Sequence, residues 1–248
     1  MTATTPRQVA EAGADRRLPA GDDERFVGYG AMGVPFRSGH YLALRNMQAS
    51  SVGPAYRTIW HRDPAGRWTI FTTVDPQLSC PRYFGAAADA ERVPAIELGW
   101  RDDWTLEVSL PGRLSWQLTL VRTAATAALS GMGGAMPEAA WNSSAILSSM
   151  SPMVRLMLHA GRIRLAGRTP NGQHFKAAPR AVWRVGGGTA RLDGHDLGPL
   201  GPLREQTRLG DFWLPQSGLF FAGGARFSAT AQSVGPVAAG SRRAAVRP

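Results

Sequence analysis

The 248-residue sequence lacks the residues that build disulfide-bonded and zinc-bound scaffolds. Its single cysteine, Cys80, cannot form an internal disulfide, and no set of cysteines and histidines has the spacing of a zinc site. No apolar run approaches the roughly 20 residues of a membrane-spanning helix. The first 25 residues carry five acidic side chains where a signal peptide has its apolar centre. We therefore expect a cytoplasmic protein with no transmembrane segment and no metal.

Lysine is equally scarce, because the 28 basic residues comprise 27 arginines and Lys176. The net charge of +10 is one part of the footprint of a nucleic-acid-binding protein. The arginines are spread singly, however, with no run of five basic residues and no groove-reading motif. The sequence therefore does not favour a nucleic-acid partner, and binding of anions or nucleic acid at the arginine-rich surface is kept as an alternative.

The composition is that of a globular protein, with 44% hydrophobic and 19% charged residues. Residues 1–25 and 228–248 show no hydrophobic periodicity. We predict that both ends are disordered tails. The remaining residues, 26–227, are predicted to form a single domain.

Alternation of apolar and polar residues predicts antiparallel strands over residues 40–122 and 162–227. The clearest hairpin pairs Trp104–Leu110 with Leu114–Leu120 through a turn at Pro111-Gly112. Turn residues predict further pairs and a final strand. These are Tyr56–Arg62 with Trp68–Val74, Arg162–Arg168 with Gln173–Ala178, Ala181–Val185 with Thr189–Leu192 across Gly186-Gly187-Gly188, and a last strand at Leu219–Phe227.

Residues 123–160 change to helical spacing and predict an insertion of helices. Ser151 fits an N-cap and Pro152 a first helical position, so we predict two short helices that meet there. The apolar stripe of this segment consists of Ile146, Met150, Met153 and Met157. The predicted fold is therefore mainly β: an antiparallel barrel or strongly curved sheet of about nine or ten strands with one helical insertion.

A glycine motif, Gly28-Tyr29-Gly30-Ala31-Met32-Gly33, matches the dinucleotide-binding pattern G-x-G-x-x-G. In addition, the segment 218–224 loosely resembles the one that closes the FAD site of many flavoproteins. Dinucleotide binding requires a helix directly after the glycines, and Pro35 and Gly39 stand there instead. We interpret the motif as a glycine-rich loop and expect no cofactor. A flavin- or NAD-dependent oxidoreductase is the further alternative.

Polar and aromatic side chains gather at the predicted ends of the first strands, where a barrel has its mouth. The catalytic candidates are His40, His61, Asp75 and Tyr83. Histidine transfers protons near neutral pH, and a carboxylate orients it. The structural alternative is that His61 and Asp63, two residues apart, cap a turn.

The helical insertion contains five of the eight methionines and only two charged residues, Glu138 and Arg155. It is either helix packing on a barrel or a flexible lid over an apolar ligand, because methionine adapts to irregular shapes. The candidate ligand-binding residues are Tyr41, Trp60, Trp141, Met150, Met153 and Met157.

Cys80 and Lys176 are each the single residue of their type. A thiol needs a nearby base or positive charge to become a nucleophile, and a packed cysteine is inert. A desolvated lysine forms Schiff bases with carbonyl substrates, as in barrels of the acetoacetate decarboxylase type. Alternation with an inward Phe175 directs Lys176 outward, and its surroundings lack the wider pattern of that family. We therefore assign neither residue a catalytic role.

The strand order and the Gly66-Arg67-Trp68 turn resemble those of lipocalin-like barrels, a group that includes bacterial carotenoid hydratases. The resemblance covers residues 40–228, and no residue role carries over because a strand at 40–48 precedes this turn. It implies an apolar small molecule inside a barrel. We expect a lipid-, terpenoid- or polyketide-like ligand, with cofactor-free acid–base chemistry such as hydration, isomerisation or cyclisation. The first alternative is a hydrophobic carrier without chemistry.

Overall fold

The computed structural model describes residues 4–13 and 17–228. This part of the chain is mainly β. Its strands are β1 (Glu24–Pro35), β2 (Tyr41–Ser50), β3 (Tyr56–Arg62), β4 (Trp68–Thr72), β5 (Asp89–Arg92), β6 (Glu97–Trp100), β7 (Thr105–Leu110), β8 (Leu114–Val121), β9 (Ala166–Arg168), β10 (His174–Leu192), β11 (His195–Asp196), β12 (Arg208–Leu209), β13 (Phe212–Trp213) and β14 (Leu219–Phe227). Its helices are α1 (Pro6–Ala12), α2 (Pro81–Phe84), α3 (Ala124–Ala135), α4 (Glu138–Trp141) and α5 (Ser144–Leu158).

Twelve strands form one sheet in the order β5-β4-β3-β2-β1-β14-β10-β8-β7-β6, with β9 and β11 also paired to β10. All pairs are antiparallel except β4 with β5. The mainly β prediction is confirmed, but a closed barrel is not formed, because no described residue of β5 pairs with β6. These two strands are joined by residues 93–96, which include Pro94, a residue that cannot donate a ladder hydrogen bond. Strong curvature of the sheet stays a prediction.

The two hairpins with the clearest turn residues are confirmed as β3–β4 and β7–β8. The first turn is closed by the Arg67 amide, which donates to Asp63 Oδ1 at 2.9 Å, and Gly66 adopts a φ of 92°. In the second turn Gly112 adopts a φ of 76°. Glycine reaches these positive angles without steric cost, so the turn residues determine where the strands reverse.

The predicted turn at Gly186-Gly187-Gly188 is wrong, because β10 runs through it as one 19-residue strand. The register of β10 against β8 shifts between Val185 and Gly187, which is a β-bulge. A Cβ on Gly186 would lie 2.7 Å from the Val121 side chain, and one on Gly188 would lie 2.6 Å from the Gln117 carbonyl oxygen. These glycines therefore permit close approach to β8 instead of reversing the chain.

Side chains of the central strands alternate between two buried faces, as the pleat of a strand requires. Leu42 and Leu44 of β2 join the largest hydrophobic cluster, which also contains Leu106 and Trp116. The other face of β2 carries Tyr41, Ala43, Arg45 and Met47. Because both faces are buried, the sheet has two distinct interiors, each with its own hydrophobic cluster.

Helices α3, α4 and α5 form the insertion predicted over residues 123–160. The predicted break at Pro152 is wrong, because α5 continues from Ser144 to Leu158. Ser151 does not cap a new helix. Its hydroxyl donates to the Leu147 carbonyl at 3.1 Å and accepts from the Leu165 amide at 3.3 Å. Pro152 lies on the exposed side of α5, where the helix tolerates the loss of one backbone hydrogen bond.

Helix α3 lies directly against β10. The Ser130 hydroxyl donates to the Val182 carbonyl at 3.1 Å and accepts from the Val182 amide at 2.9 Å. A Cβ on Gly133 would lie 2.7 Å from the Arg180 carbonyl oxygen, so glycine is needed for this close approach. Ser130 thereby satisfies backbone groups of β10 that no strand pairs.

The segment predicted as an N-terminal tail contains α1, which begins with a capping box formed by Thr5 and Gln8. Ala10 is buried, and its carbonyl accepts a 2.9 Å hydrogen bond from Gln48 of β2. The predicted C-terminal tail lies outside the described residues beyond 228. The division into one domain with two disordered tails therefore stays a prediction. None of the helices described here has the length and apolar character needed to span a membrane.

Candidate functional site

An apolar pocket lies between the helical insertion and the sheet, on the face opposite the largest core cluster. Its volume is about 1110 Å³, including open solvent space. Helices α3, α4 and α5 supply one wall through Leu129, Met132, Trp141, Met150 and Val154. We call this space the helix–sheet pocket. Its position under the methionine-rich insertion, instead of inside a barrel, differs from the cavity expected from the sequence.

Glycines of β1 and β14 form part of the pocket floor, where Gly28 pairs in register with Gly223. A Cβ on either residue would lie 2.0 Å from a neighbouring carbonyl oxygen, of Asn46 and Ala178 respectively. The interpretation of the G-x-G-x-x-G motif as a loop is therefore wrong, because its glycines lie inside β1. A strand, β2, follows them, so they do not open a helix that could hold a phosphate.

Arg45 is the most unusual residue of the pocket lining. It is only 5% exposed, and its guanidinium carbon lies 4.9 Å from the Trp60 ring centre and 5.1 Å from that of Phe212. Its buried Nε atom has no hydrogen-bond partner. No carboxylate among the described residues forms an ion pair with it. The pocket therefore has a buried positive charge held by aromatic faces.

The other polar groups of the lining are few. Trp141 is 2% exposed, and its indole N–H is buried without a hydrogen-bond partner. Arg164 also lines the pocket, but its guanidinium pairs with Asp211 at 2.9 Å. Arg45 and Arg164 are the ionisable side chains of the described lining. The polar groups available to a ligand are thus hydrogen-bond donors surrounded by apolar side chains.

The structure places the six candidate ligand-binding residues in different surroundings. Trp141 and Met150 line the helix–sheet pocket. Met157 packs against the buried cluster beneath the helices, whereas Met153 is 37% exposed. Tyr41 and Trp60 are fully buried in a second cluster, where the Tyr41 hydroxyl donates to the Pro215 carbonyl at 3.2 Å. The ligand-binding roles of all six residues stay predictions.

His40 and His61 are brought together at the ends of β2 and β3. His40 Nδ1 lies 2.9 Å from His61 Nε2, and the rings stack with their centres 5.2 Å apart. Burial, together with the neighbouring His40, lowers the pKa of His61 to about 4, and burial also lowers the pKa of His40. At neutral pH both rings are therefore uncharged, and one nitrogen donates while the other accepts. Neither histidine lines the helix–sheet pocket.

Asp75 and Tyr83, the other two catalytic candidates, make separate contacts. Asp75 is exposed and accepts a 2.8 Å hydrogen bond from the Gln77 amide, which caps a short 3-10 turn. Tyr83 is buried and donates to Glu24 at 2.6 Å. Burial, reinforced by this carboxylate, raises the pKa of Tyr83. The structure thus joins His40 to His61 but gives Asp75 and Tyr83 other partners, and all four catalytic roles stay predictions.

Glu24 is the centre of a buried polar network that explains the position of Tyr83. Besides the tyrosine, its carboxylate accepts from Arg82 at 2.7 Å and from Gln173 at 3.2 Å. Burial would raise the pKa of Glu24, but the hydrogen bonds from Arg82, Tyr83 and Gln173 outweigh it and lower the pKa. The network joins β1 to α2 and to the residue that precedes β10.

Cys80 and Lys176 take no part in the helix–sheet pocket. The Cys80 thiol is buried 3.6 Å from the hydroxyls of Tyr56 and Thr58. Lys176 is half-buried on β10. Within residues 4–13 and 17–228 no group of three histidine, cysteine or acidic side chains is arranged to hold a metal ion.

Reasoning from the sequence missed Arg45, although a signal was present. In the segment 41–47 the residues on its strand face are Tyr41, Ala43 and Met47, all apolar. An arginine in phase with such residues predicts a buried charge, because alternate residues of a strand share one face. Because arginines occur throughout the sequence, the arginine on this apolar strand face did not stand out.

Comparison with known proteins gives little further information. No family model and no curated protein matches the sequence. A crystal structure of acetoacetate decarboxylase from Legionella pneumophila matches over 86% of this chain and 87% of that chain, with 13% sequence identity and a TM-score of 0.34. At this level the similarity establishes neither a shared activity nor equivalent residues. The resemblance to carotenoid hydratases stays a prediction.

Proposed function

We propose that the protein binds an apolar small molecule, such as a lipid, terpenoid or polyketide, in the helix–sheet pocket. The observation that carries this proposal is the apolar lining from three helices and the sheet, which includes Met132, Met150 and Phe221. A concave, mostly apolar surface with a few polar groups is typical of small-molecule sites. Methionine side chains suit such a lining because they adapt to ligands of irregular shape.

Binding without chemistry is favoured over catalysis. A general acid or base needs a pKa near the working pH. The ionisable groups of the described lining are the guanidinium groups of Arg45 and Arg164, and guanidinium is a hydrogen-bond donor with no acceptor that could take up a proton. The second candidate function is cofactor-free acid–base chemistry at the His40–His61 pair, which is supported by their 2.9 Å contact but opposed by the burial that lowers the pKa of His61 to about 4.

The test uses N-phenylnaphthylamine, an uncharged dye that becomes fluorescent in apolar surroundings. Two variants on α5 carry the same substitution three residues apart. Met150→Gln places an amide in the pocket lining, whereas Met153→Gln changes an exposed side chain. We expect Met150→Gln to weaken dye binding about 10-fold. A bound dye would displace the water that hydrogen-bonds to the new amide, and the dye would offer no hydrogen bond in return. We expect Met153→Gln to bind like the wild type.

Two results would overturn the proposal. One is the absence of saturable dye binding to the wild-type protein, together with no apolar compound in an organic extract analysed by mass spectrometry. The other is equal weakening by Met150→Gln and Met153→Gln, which would place the dye outside the pocket. Thermal unfolding of both variants controls for loss of the folded state.

A further inference from the structure

The buried arginine of the helix–sheet pocket lacks the partner that such a residue normally has. A charge removed from water is usually paired or hydrogen-bonded, because desolvation is costly. Arg45 has aromatic rings around its guanidinium, a buried Nε atom without a partner and no ion pair among the described residues. It also lines an open pocket. A negatively charged group of a ligand can therefore pair with Arg45 from the pocket.

We propose that the ligand of the helix–sheet pocket is an amphipathic carboxylate, whose carboxylate group pairs with Arg45 while its apolar body lies along α3 and α5. This inference rests on the proposed function and adds the chemical class of the ligand. Guanidinium matches a planar carboxylate with two parallel hydrogen bonds. The apolar lining beyond Arg45 accommodates the rest of the molecule.

The charges of the lining favour a single negative charge on the ligand. Arg164 is already paired with Asp211, so Arg45 is the cation left without a carboxylate in the described lining. A phosphate carries close to two negative charges at neutral pH and would bring an excess charge into an apolar site. A carboxylate leaves the site neutral. The unpaired indole N–H of Trp141 adds a donor and no acceptor, which also suits a ligand head rich in acceptor oxygens.

The test compares three probes with the same chain: decanoic acid, methyl decanoate and decanol. Each is titrated at neutral pH against the wild-type protein loaded with N-phenylnaphthylamine, and displacement of the dye is measured. We expect decanoic acid to bind about 10- to 100-fold more tightly than the ester and the alcohol, which corresponds to hydrogen bonds to a charged group. This comparison needs no variant, so it does not depend on the folding of a mutant.

The same titrations with Arg45→Met and Arg162→Met locate the effect. Arg45→Met removes the charge but keeps an adaptable apolar side chain, and we expect it to abolish the preference for the acid. Arg162→Met changes an exposed arginine outside the pocket lining, and we expect the preference to persist. Arg45→Lys keeps the charge without the planar donor pair. We expect this variant to keep part of the wild-type preference for the acid.

The outcomes separate this inference from the function on which it rests. If the dye binds and all three probes displace it equally, the pocket binds apolar molecules and the carboxylate proposal is wrong. A preference for the acid that survives in Arg45→Met also overturns it. If no probe and no dye binds, the proposed function itself fails.

Discussion

The guanidinium carbon of Arg45 lies 4.9 Å from the centre of the Trp60 ring, so an aromatic face accompanies this buried charge. Aromatic contacts offset only part of the solvation that the charge loses. We therefore predict that Arg45→Met raises the free energy of unfolding of ligand-free protein by about 1–2 kcal/mol. Urea titration of protein stripped of ligand measures this change. A loss of stability of similar size would mean that the aromatic contacts more than offset the solvation that the charge loses.

Glu24 and Tyr83 provide a second pair of variants with different expected costs. Glu24→Ala leaves Arg82, Tyr83 and Gln173 without their shared acceptor, and we predict a loss of about 3–5 kcal/mol. Tyr83→Phe removes one donor while two others remain, and we predict a loss of about 1–2 kcal/mol. Chemical denaturation of both variants tests the order. A larger effect of Tyr83→Phe would argue that its hydroxyl has a role beyond this network.

The pH dependence of stability should contain a contribution from His61. Its pKa is about 4 in the folded protein, against an ordinary value of 6.5, so the unfolded chain binds a proton more readily. Stability from the uncharged ring is fully present above pH 6.5 and is lost as the pH falls from about 6.5 to about 4. We predict that His61→Gln flattens the stability profile in this range. Parallel profiles for wild type and variant would contradict the burial of an uncharged His61.

Gly187 and Gly188 are neighbours in β10, but only Gly187 has room for a side chain. A Cβ on Gly188 would lie 2.6 Å from the Gln117 carbonyl oxygen, whereas one on Gly187 would have no atom within 4 Å. We predict that Gly188→Ala destabilises the protein by about 1–3 kcal/mol and that Gly187→Ala is neutral or stabilises it by up to about 1 kcal/mol. Thermal unfolding of the two variants distinguishes them. Equal losses would mean that the glycines are needed for backbone flexibility instead of for space.

Local patterns in the sequence predicted the parts of the fold that depend on neighbouring residues. The β7–β8 hairpin followed from strict alternation and a Pro-Gly turn, and both features act within a few residues. The three glycines after Val185 were misinterpreted because a turn and a close approach between strands both select glycine. Only the partner strand β8, about 65 residues earlier in the chain, decides between the two.

The candidate site could be predicted only in part. Met150 was a candidate because helical spacing marks which residues share a face, and Trp141 because it lies in the same insertion; both line the pocket, and their ligand-binding roles stay predictions. Arg45 and Phe212 are far apart in the sequence, and their contact depends on where the segment that contains β13 lies against the sheet. The catalytic candidates were grouped by their position near strand ends, but proximity along the chain did not give Asp75 and Tyr83 a shared partner.

The two hydrogen bonds between Ser130 and Val182 hold α3 against β10. Lifting α3 would expose the amide and the carbonyl of Val182, which Ser130 satisfies in place of a strand. Helix α4 is held by surface ion pairs from Glu138 to Arg180 and Arg226, which salt weakens. One side chain of α5 hydrogen-bonds to the chain that follows the helix, since Ser151 accepts from the Leu165 amide. We therefore predict that a ligand of the pocket enters and leaves beneath α5, while α3 stays in place against β10.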